Sequence, residues 1–358
     1  MLKRIISGIV AFIIFLPIVI FSEPGTPQGW VFPIAIAFGC VVGLCEMFNC
    51  IGIMKMWHLS IPLILLGGSL PVLARAFDGG RDVEFNSLLL MMAIVGMTYI
   101  LAVSLFSKGK LPIERAALAF TTLFYIAGGF TSIVLLRDFD NYGKYLFILI
   151  FVGAWGTDIF AYFVGRFFGR HKLIPEISPK KTVEGSIGGI VFCSLLYMLY
   201  GFVLSKFIPG FSNTYWLLAI VGVIISVVAQ IGDLTMSQIK RQFGIKDYGK
   251  IMPGHGGILD RCDSVLTVAF VLIVACGNAG LWISKPLAAK KRHVLVFVAG
   301  GQRYGSWVGR EEQMVSGACL CVAVSSDPHR TGWGQGKTIC TRLHPPWWQG
   351  GTAHGSGG

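Results

Sequence analysis

The chain has 358 residues, of which 54% are hydrophobic and only 13% charged, with a mean hydropathy of +0.69. Soluble globular chains carry roughly 25% charged residues, so a water-facing globule, a disordered chain, a collagen-like fibre and a small disulfide scaffold are excluded. The net charge of +12 divides into +6 for residues 1–284 (21 Lys/Arg against 15 Asp/Glu) and +6 for residues 285–358 (9 against 3). That division speaks of membrane topology and substrate charge, not of nucleic-acid binding.

Nine apolar stretches follow one another near residues 5–21, 30–50, 59–76, 86–106, 116–136, 145–165, 186–205, 215–236 and 258–283. Each approaches the roughly 20 residues that a helix needs to cross a bilayer. The fold class is therefore all-α: a polytopic transmembrane helical bundle of about nine spans with a non-helical C-terminal extension. The first stretch follows Lys3 and Arg4 like a signal peptide. It lacks a small-residue cleavage site before Glu23-Pro24-Gly25 and reads as an uncleaved helix. Alternating from a cytoplasmic N-terminus puts 15 Lys/Arg on inner connections and 5 on outer ones up to residue 284, as the positive-inside rule requires. The two longest and most polar connections, 166–185 and 237–257, fall on the inner side.

The segment 285–358 differs in kind. It has 13 Gly and 4 Trp, no run long enough to span, and no helical or strand period. It reads as a disordered or foreign extension without a function of its own. Cys319, Cys321, Cys340 and His344 have irregular spacing for a zinc site, and Cys40, Cys45, Cys50, Cys193 and Cys276 lie in apolar runs as small hydrophobes.

The chemistry concentrates in two places. Between Asp233 and Asp263 stand five basic and four acidic side chains. Asp260 and Asp263, at i and i+3, share one helix face. Gly256-Gly257 precede that helix and let its backbone N–H groups approach a ligand, and a helix N-terminus is a seat for phosphate. Two aspartates there would repel a phosphate unless a cation lay between them, which suits Mg²⁺ held by a few carboxylates and phosphate oxygens. One connection earlier come Asp158 within a span, Arg166 and Arg170, and Ser178-Pro-Lys180-Lys181-Thr-Val-Glu-Gly185. An ionisable residue inside a span faces the bundle interior or an aqueous cavity. Lys180 and Lys181 offer two ammonium groups to a polyphosphate, while Arg166 and Arg170 equally suit lipid headgroups.

Ser237, Lys240, Arg241, Lys246, Asp247, Pro253, His255, Gly256, Gly257, Asp260, Arg261 and Asp263 together resemble the signature of the phosphatidate cytidylyltransferases, the integral-membrane CDP-diacylglycerol synthases. Met252 and Cys262 depart softly from it. The resemblance covers roughly residues 1–284, most sharply 150–265, and stops before the extension. It implies transfer of CMP from CTP to phosphatidate, giving CDP-diacylglycerol and pyrophosphate. It also implies one or two Mg²⁺ ions, leaves room for a monovalent cation and a homodimer, and places the protein in the bacterial inner membrane. By the same resemblance Asp233 and Asp260 hold metal, with Asp263, Asp247 and Asp158 in support. Lys246 serves catalysis, and Lys240, Arg241, Arg261, Ser178, Lys180 and Lys181 face phosphates. His255 either touches the departing pyrophosphate or braces the Gly-Gly turn, and Ser237 either ligates metal or caps a helix. Polyprenol or dolichol kinases and archaeal-lipid cytidylyltransferases share the CTP-dependent plan. A transporter would line a pathway with the same charges, but they cluster at one face of the membrane and no interrupted spans repeat.

Overall fold

In hydrocarbon a backbone must satisfy its own hydrogen bonds, so a chain built of apolar runs folds as helices. The computed structural model describes residues 26–77, 83–139, 143–207, 215–249 and 256–278, parts of 13–22, and strands at 295–298, 320–323 and 338–340. A 3₁₀ turn, Pro27–Trp30, is capped by the Thr26 hydroxyl, which accepts from the Gly29 N–H at 3.1 Å. Among the described residues eight helices follow: α1 (Val31–Ile51), α2 (Trp57–Ala76), α3 (Val83–Phe106), α4 (Ile113–Arg137), α5 (Gly143–Phe168), α6 (Val183–Phe207), α7 (Tyr215–Gln242) and α8 (Leu259–Asn278). Between α5 and α6 lies an antiparallel hairpin of β1 (Lys172–Ile174) and β2 (Ser178–Thr182).

Seven of these helices, α1 to α7, are long and apolar enough to cross a membrane, and they coincide with the second to eighth predicted spans. The count of nine is not reached. The first predicted span lies mostly outside the described residues. The ninth is α8, whose first turns carry Asp260, Arg261 and Asp263, a charge load set by the site and not by lipid. The predicted end of the eighth span also moves, from 236 to Gln242. Met236 and Ile239 continue the buried stripe of α7, and the helix stops only at Gly244, whose φ of +66° is left-handed. Ser237, Lys240 and Arg241 therefore stand on a helix, not in a loop.

Neighbours in the bundle are α1 with α2 and α4, α4 with α8, and α5, α6 and α7 in succession, with α7 also against α8. The α5–α6 seam is made of small residues. A Cβ on Gly185 would lie 2.6 Å from the Ala161 carbonyl and 3.0 Å from the Cα of Gly165. Gly189, one turn on, faces Ala161 and Thr157 equally closely. With no hydrophobic drive between helices in lipid, such small-residue stripes let backbones approach and pack. At the far end, Arg75 pairs with Asp138 at 3.3 Å and donates to the Gly29 carbonyl at 3.1 Å.

The chain separates into two units, residues 1–284 and 285–358. The second contains a three-stranded antiparallel sheet of β3 (Leu295–Val298), β4 (Leu320–Ala323) and β5 (Thr338–Cys340). Its strands pair Val296 with Val322 and Cys321 with Cys340. These runs of three or four residues are too short to show a strand period in the sequence. Cys319 and His344 lie outside the described residues. A chain ending after Lys285 should keep the helical content and thermal midpoint of the first unit in detergent, measured by circular dichroism. A lower midpoint would mean that the units stabilise each other.

Candidate active site

The end of α7, the starts of α6 and α8 and the hairpin gather at one end of the bundle. The hairpin is pinned there by three local devices. Thr182 caps α6, its hydroxyl accepting from the Gly185 N–H at 3.1 Å. Glu184 accepts from the backbone N–H of His171 at 3.1 Å and meets its ring Nδ1 at 2.7 Å. Arg241, near the end of α7, donates through Nε to the Ile177 carbonyl at 3.4 Å.

A cleft of about 370 Å³ opens between the hairpin, α5, α6 and α7. Asp158, Arg166, Ser178, Lys180, Lys181 and Asp233 line it, from segments up to 75 residues apart in sequence. Lys181 forms an ion pair with Asp233, the two side chains being 26% and 23% exposed. Asp263 on α8 and Asp158 on α5 both lie within electrostatic reach of Asp233. Tyr125 on α4 backs this cluster, its hydroxyl donating to the Asp263 carbonyl at 2.8 Å.

Asp260 has a different set of partners. Its Oδ1 receives the Lys240 ammonium at 2.8 Å, and its Oδ2 accepts from the N–H groups of Tyr248 at 2.8 Å and Gly257 at 3.0 Å. Its side chain is 4% exposed. Three of the roughly four lone-pair positions of a carboxylate are thus taken by protein. Lys240 also stands 5.2 Å from the ring centre of Tyr248. Burial pushes the Tyr248 phenol well above its usual range, so its hydroxyl stays a donor, to the Met236 carbonyl at 2.8 Å.

The helix N-terminus that the sequence offered to a phosphate is also engaged. Glu46, near the end of α1, accepts from the N–H of Ile258 at 3.1 Å and of Leu259 at 2.9 Å. With Gly257 bonded to Asp260, three N–H groups at the start of α8 are paired inside the protein. Gly256, with a φ of +88°, makes the turn before it. Lys246, Asp247 and Arg261 are exposed beside this turn, and His255 lies outside the described residues.

Like charges at Asp233 and Asp263 call for a cation between or beside them. Among the described residues no three acidic, His or Cys side chains close on one point, so an all-protein cage is absent there. One or two carboxylates at the edge of a cleft fit Mg²⁺ instead, since it completes its shell with water and phosphate oxygens.

Residues 2–277 match the model of the cytidylyltransferase family. The chain belongs to that family. It is 37% identical over 268 residues to the phosphatidate cytidylyltransferase of Staphylococcus saprophyticus, 36% over 267 to that of Staphylococcus haemolyticus, and 35% over 269 to that of Staphylococcus aureus. In each case the match covers 74% of this chain and 95% of the relative.

Within this cytidylyltransferase fold, sequence reasoning missed Glu46 and Tyr125. Glu46 had a signal: it is the only charged residue between Trp30 and Cys50, and a carboxylate within a span carries a function by default. Tyr125 had none. The geometry also separates two aspartates that the motif treats alike. Asp260→Asn would face donors with an amide and leave the buried Lys240 without its counter-charge, so the variant should lose about 3–5 kcal/mol. Asp233→Asn removes a partly exposed charge beside Asp263 and should change stability by less than about 1 kcal/mol. Thermal unfolding in detergent distinguishes them, and equal midpoints would count against the division of roles.

Proposed function

We propose that the protein transfers CMP from CTP to phosphatidate in the cell membrane. The observation that carries this reading is the cleft in which Lys180 and Lys181 of the hairpin stand opposite Asp233, with Asp158 and Asp263 beside it. Two ammonium groups against a carboxylate cluster suit a metal–polyphosphate substrate better than a neutral one. The relatives' names agree with the reading.

The chemistry asks little of acid or base groups. A phosphate monoester has a second pKa of about 6, so the acceptor is already a dianion near neutrality. One of its oxygens attacks the α-phosphorus of CTP, forming a new P–O bond. The bond from that phosphorus to the bridging oxygen of the β-phosphate breaks, and pyrophosphate leaves with the electron pair. The obstacle is bringing two polyanions together, and fixed cations lower it. Lys180 and Lys181 bind the triphosphate, Lys181 exchanging its Asp233 partner for a phosphate oxygen. Arg166, on the same cleft wall, receives the acceptor phosphate. Asp233, with Asp263 or Asp158 beside it, would hold Mg²⁺, which when bound would neutralise charge on the leaving phosphates. Asp260 acts from behind by fixing Lys240 and the first turn of α8. Ser237 stands one turn beyond Asp233 on α7.

We assign the hairpin and the end of α7 to the cytoplasmic face, where CTP is found. The excess of Lys and Arg on those connections supports this side. The membrane is then the bacterial plasma membrane.

Purified protein given radiolabelled CTP and Mg²⁺ should label phosphatidate and release pyrophosphate, and a polyprenol should remain unlabelled. Asp233→Asn should lower turnover at least about a hundredfold while staying folded, the order expected when a key transition-state charge partner is lost. Label in the polyprenol alone would overturn the acceptor, and full turnover in Asp233→Asn would overturn the site. In cells, Cys at Gln242 or Glu176, with Cys262 replaced, should react with an impermeant thiol reagent only from the cytoplasmic side. Cys at Lys144 should react only from the opposite side, and the reverse pattern would overturn the orientation.

A further inference from the structure

We infer that Glu46 is a positioning residue for the transfer proposed above: from α1 it holds the first turn of α8, and through it Asp260 and Asp263, in register with Asp233. The inference rests on that reading of the reaction, but its geometry stands apart from it. Glu46 is 6% exposed and is absent from the wall of the cleft, so it does not touch substrate. Both of its oxygens are engaged, Oε1 with the Ile258 N–H at 3.1 Å and Oε2 with the Leu259 N–H at 2.9 Å.

The backbone is pressed onto this carboxylate from two sides. A Cβ on either Gly249 or Gly257 would collide with it, so both ends of the 249–257 connection are shaped to its volume. An anion at the positive end of a helix is favourable, and a two-point grip on consecutive N–H groups fixes both position and rotation of the first turn. Rotation matters here. Asp260 and Asp263 sit one and four residues beyond Leu259, and the Lys240–Asp260 ion pair at 2.8 Å joins α7 to α8. A hydrophobic residue at 46 would fill the space and leave that rotation free. A buried carboxylate in an otherwise uncharged span is costly, and the grip on α8 is what it does.

Glu46→Gln keeps the volume but turns an amide N–H toward one of the two backbone donors. Measured in detergent on the full chain and normalised to folded protein, kcat should fall about 10- to 100-fold, the scale of a small misplacement of reacting groups. KM for CTP should change less than about threefold, because the cleft's phosphate-binding residues are untouched. Hydrogen exchange of residues 257–263 should accelerate while residues 183–189 stay protected. Gly257→Ala disturbs the same contact from the other side and should give the same kinetic pattern. The double variant should be no worse than the worse single one, as residues sharing one interaction are non-additive. Should Glu46→Gln fail to fold, Glu46→Asp, which keeps the charge but is one methylene shorter, carries the same measurements with a smaller loss. Unchanged exchange in α8, unchanged kcat, a rise in KM alone, or full additivity with Gly257→Ala would each overturn the inference. If the wild-type protein transferred no CMP, the proposed function would fail, while the exchange data would still judge the grip on α8.

Discussion

The start of α8 is the constraint on which the site depends. A helix that begins inside an apolar bundle exposes N–H groups that no water can satisfy, and each would cost several kcal/mol unpaired. Two carboxylates answer them. Glu46 arrives from α1 and Asp260 from the helix itself, and Asp260 in turn holds Lys240 of α7. One local need for hydrogen-bond acceptors thereby ties together α1, α7, α8 and the chain at Tyr248. This knot fixes the first turn of α8, and with it the place of Asp263 within electrostatic reach of Asp233.

The second constraint is close approach. Lys181 reaches Asp233 from the end of β2, which runs directly into α6. Gly165, Gly185 and Gly189 remove the side chains that would hold α5 and α6 apart. The resulting packing needs no charge and no directional bond, which suits a medium where apolar burial gives no advantage to one helix pair over another. Charged pairs stand at the ends: Lys181 with Asp233 and Lys240 with Asp260 at one, and Arg75 with Asp138 at the other.

The arrangement of charge also follows from this knot. Because carboxylates close the helix N-terminus, the cations lining the cleft are side chains. The hairpin carries two of them on a short element pinned at three points instead of on a long loop. A hairpin fixed by Thr182, Glu184 and Arg241 presents its lysines in a narrower range of positions than a 20-residue connection could, and so loses less order on binding.

Much of this was legible in the residues. Seven spans and the two charged windows follow from local pattern, since hydropathy and motif spacing are properties of neighbours in the chain. The end of α7 was misjudged because polar residues at 237–242 hide a buried stripe at Met236 and Ile239. The strands β1 and β2 escaped because three to five residues cannot display a period. Glu46 was passed over because its partners lie more than 200 residues away. By itself, then, the sequence determined the solvent the chain folds in, the helices that solvent demands and the charges reserved for chemistry. Only the tertiary structure decided which carboxylates answer backbone amides, Glu46 and Asp260, and which pairs with a lysine at the cleft, Asp233. That choice depends on distances between helices, and no one-dimensional pattern encodes them.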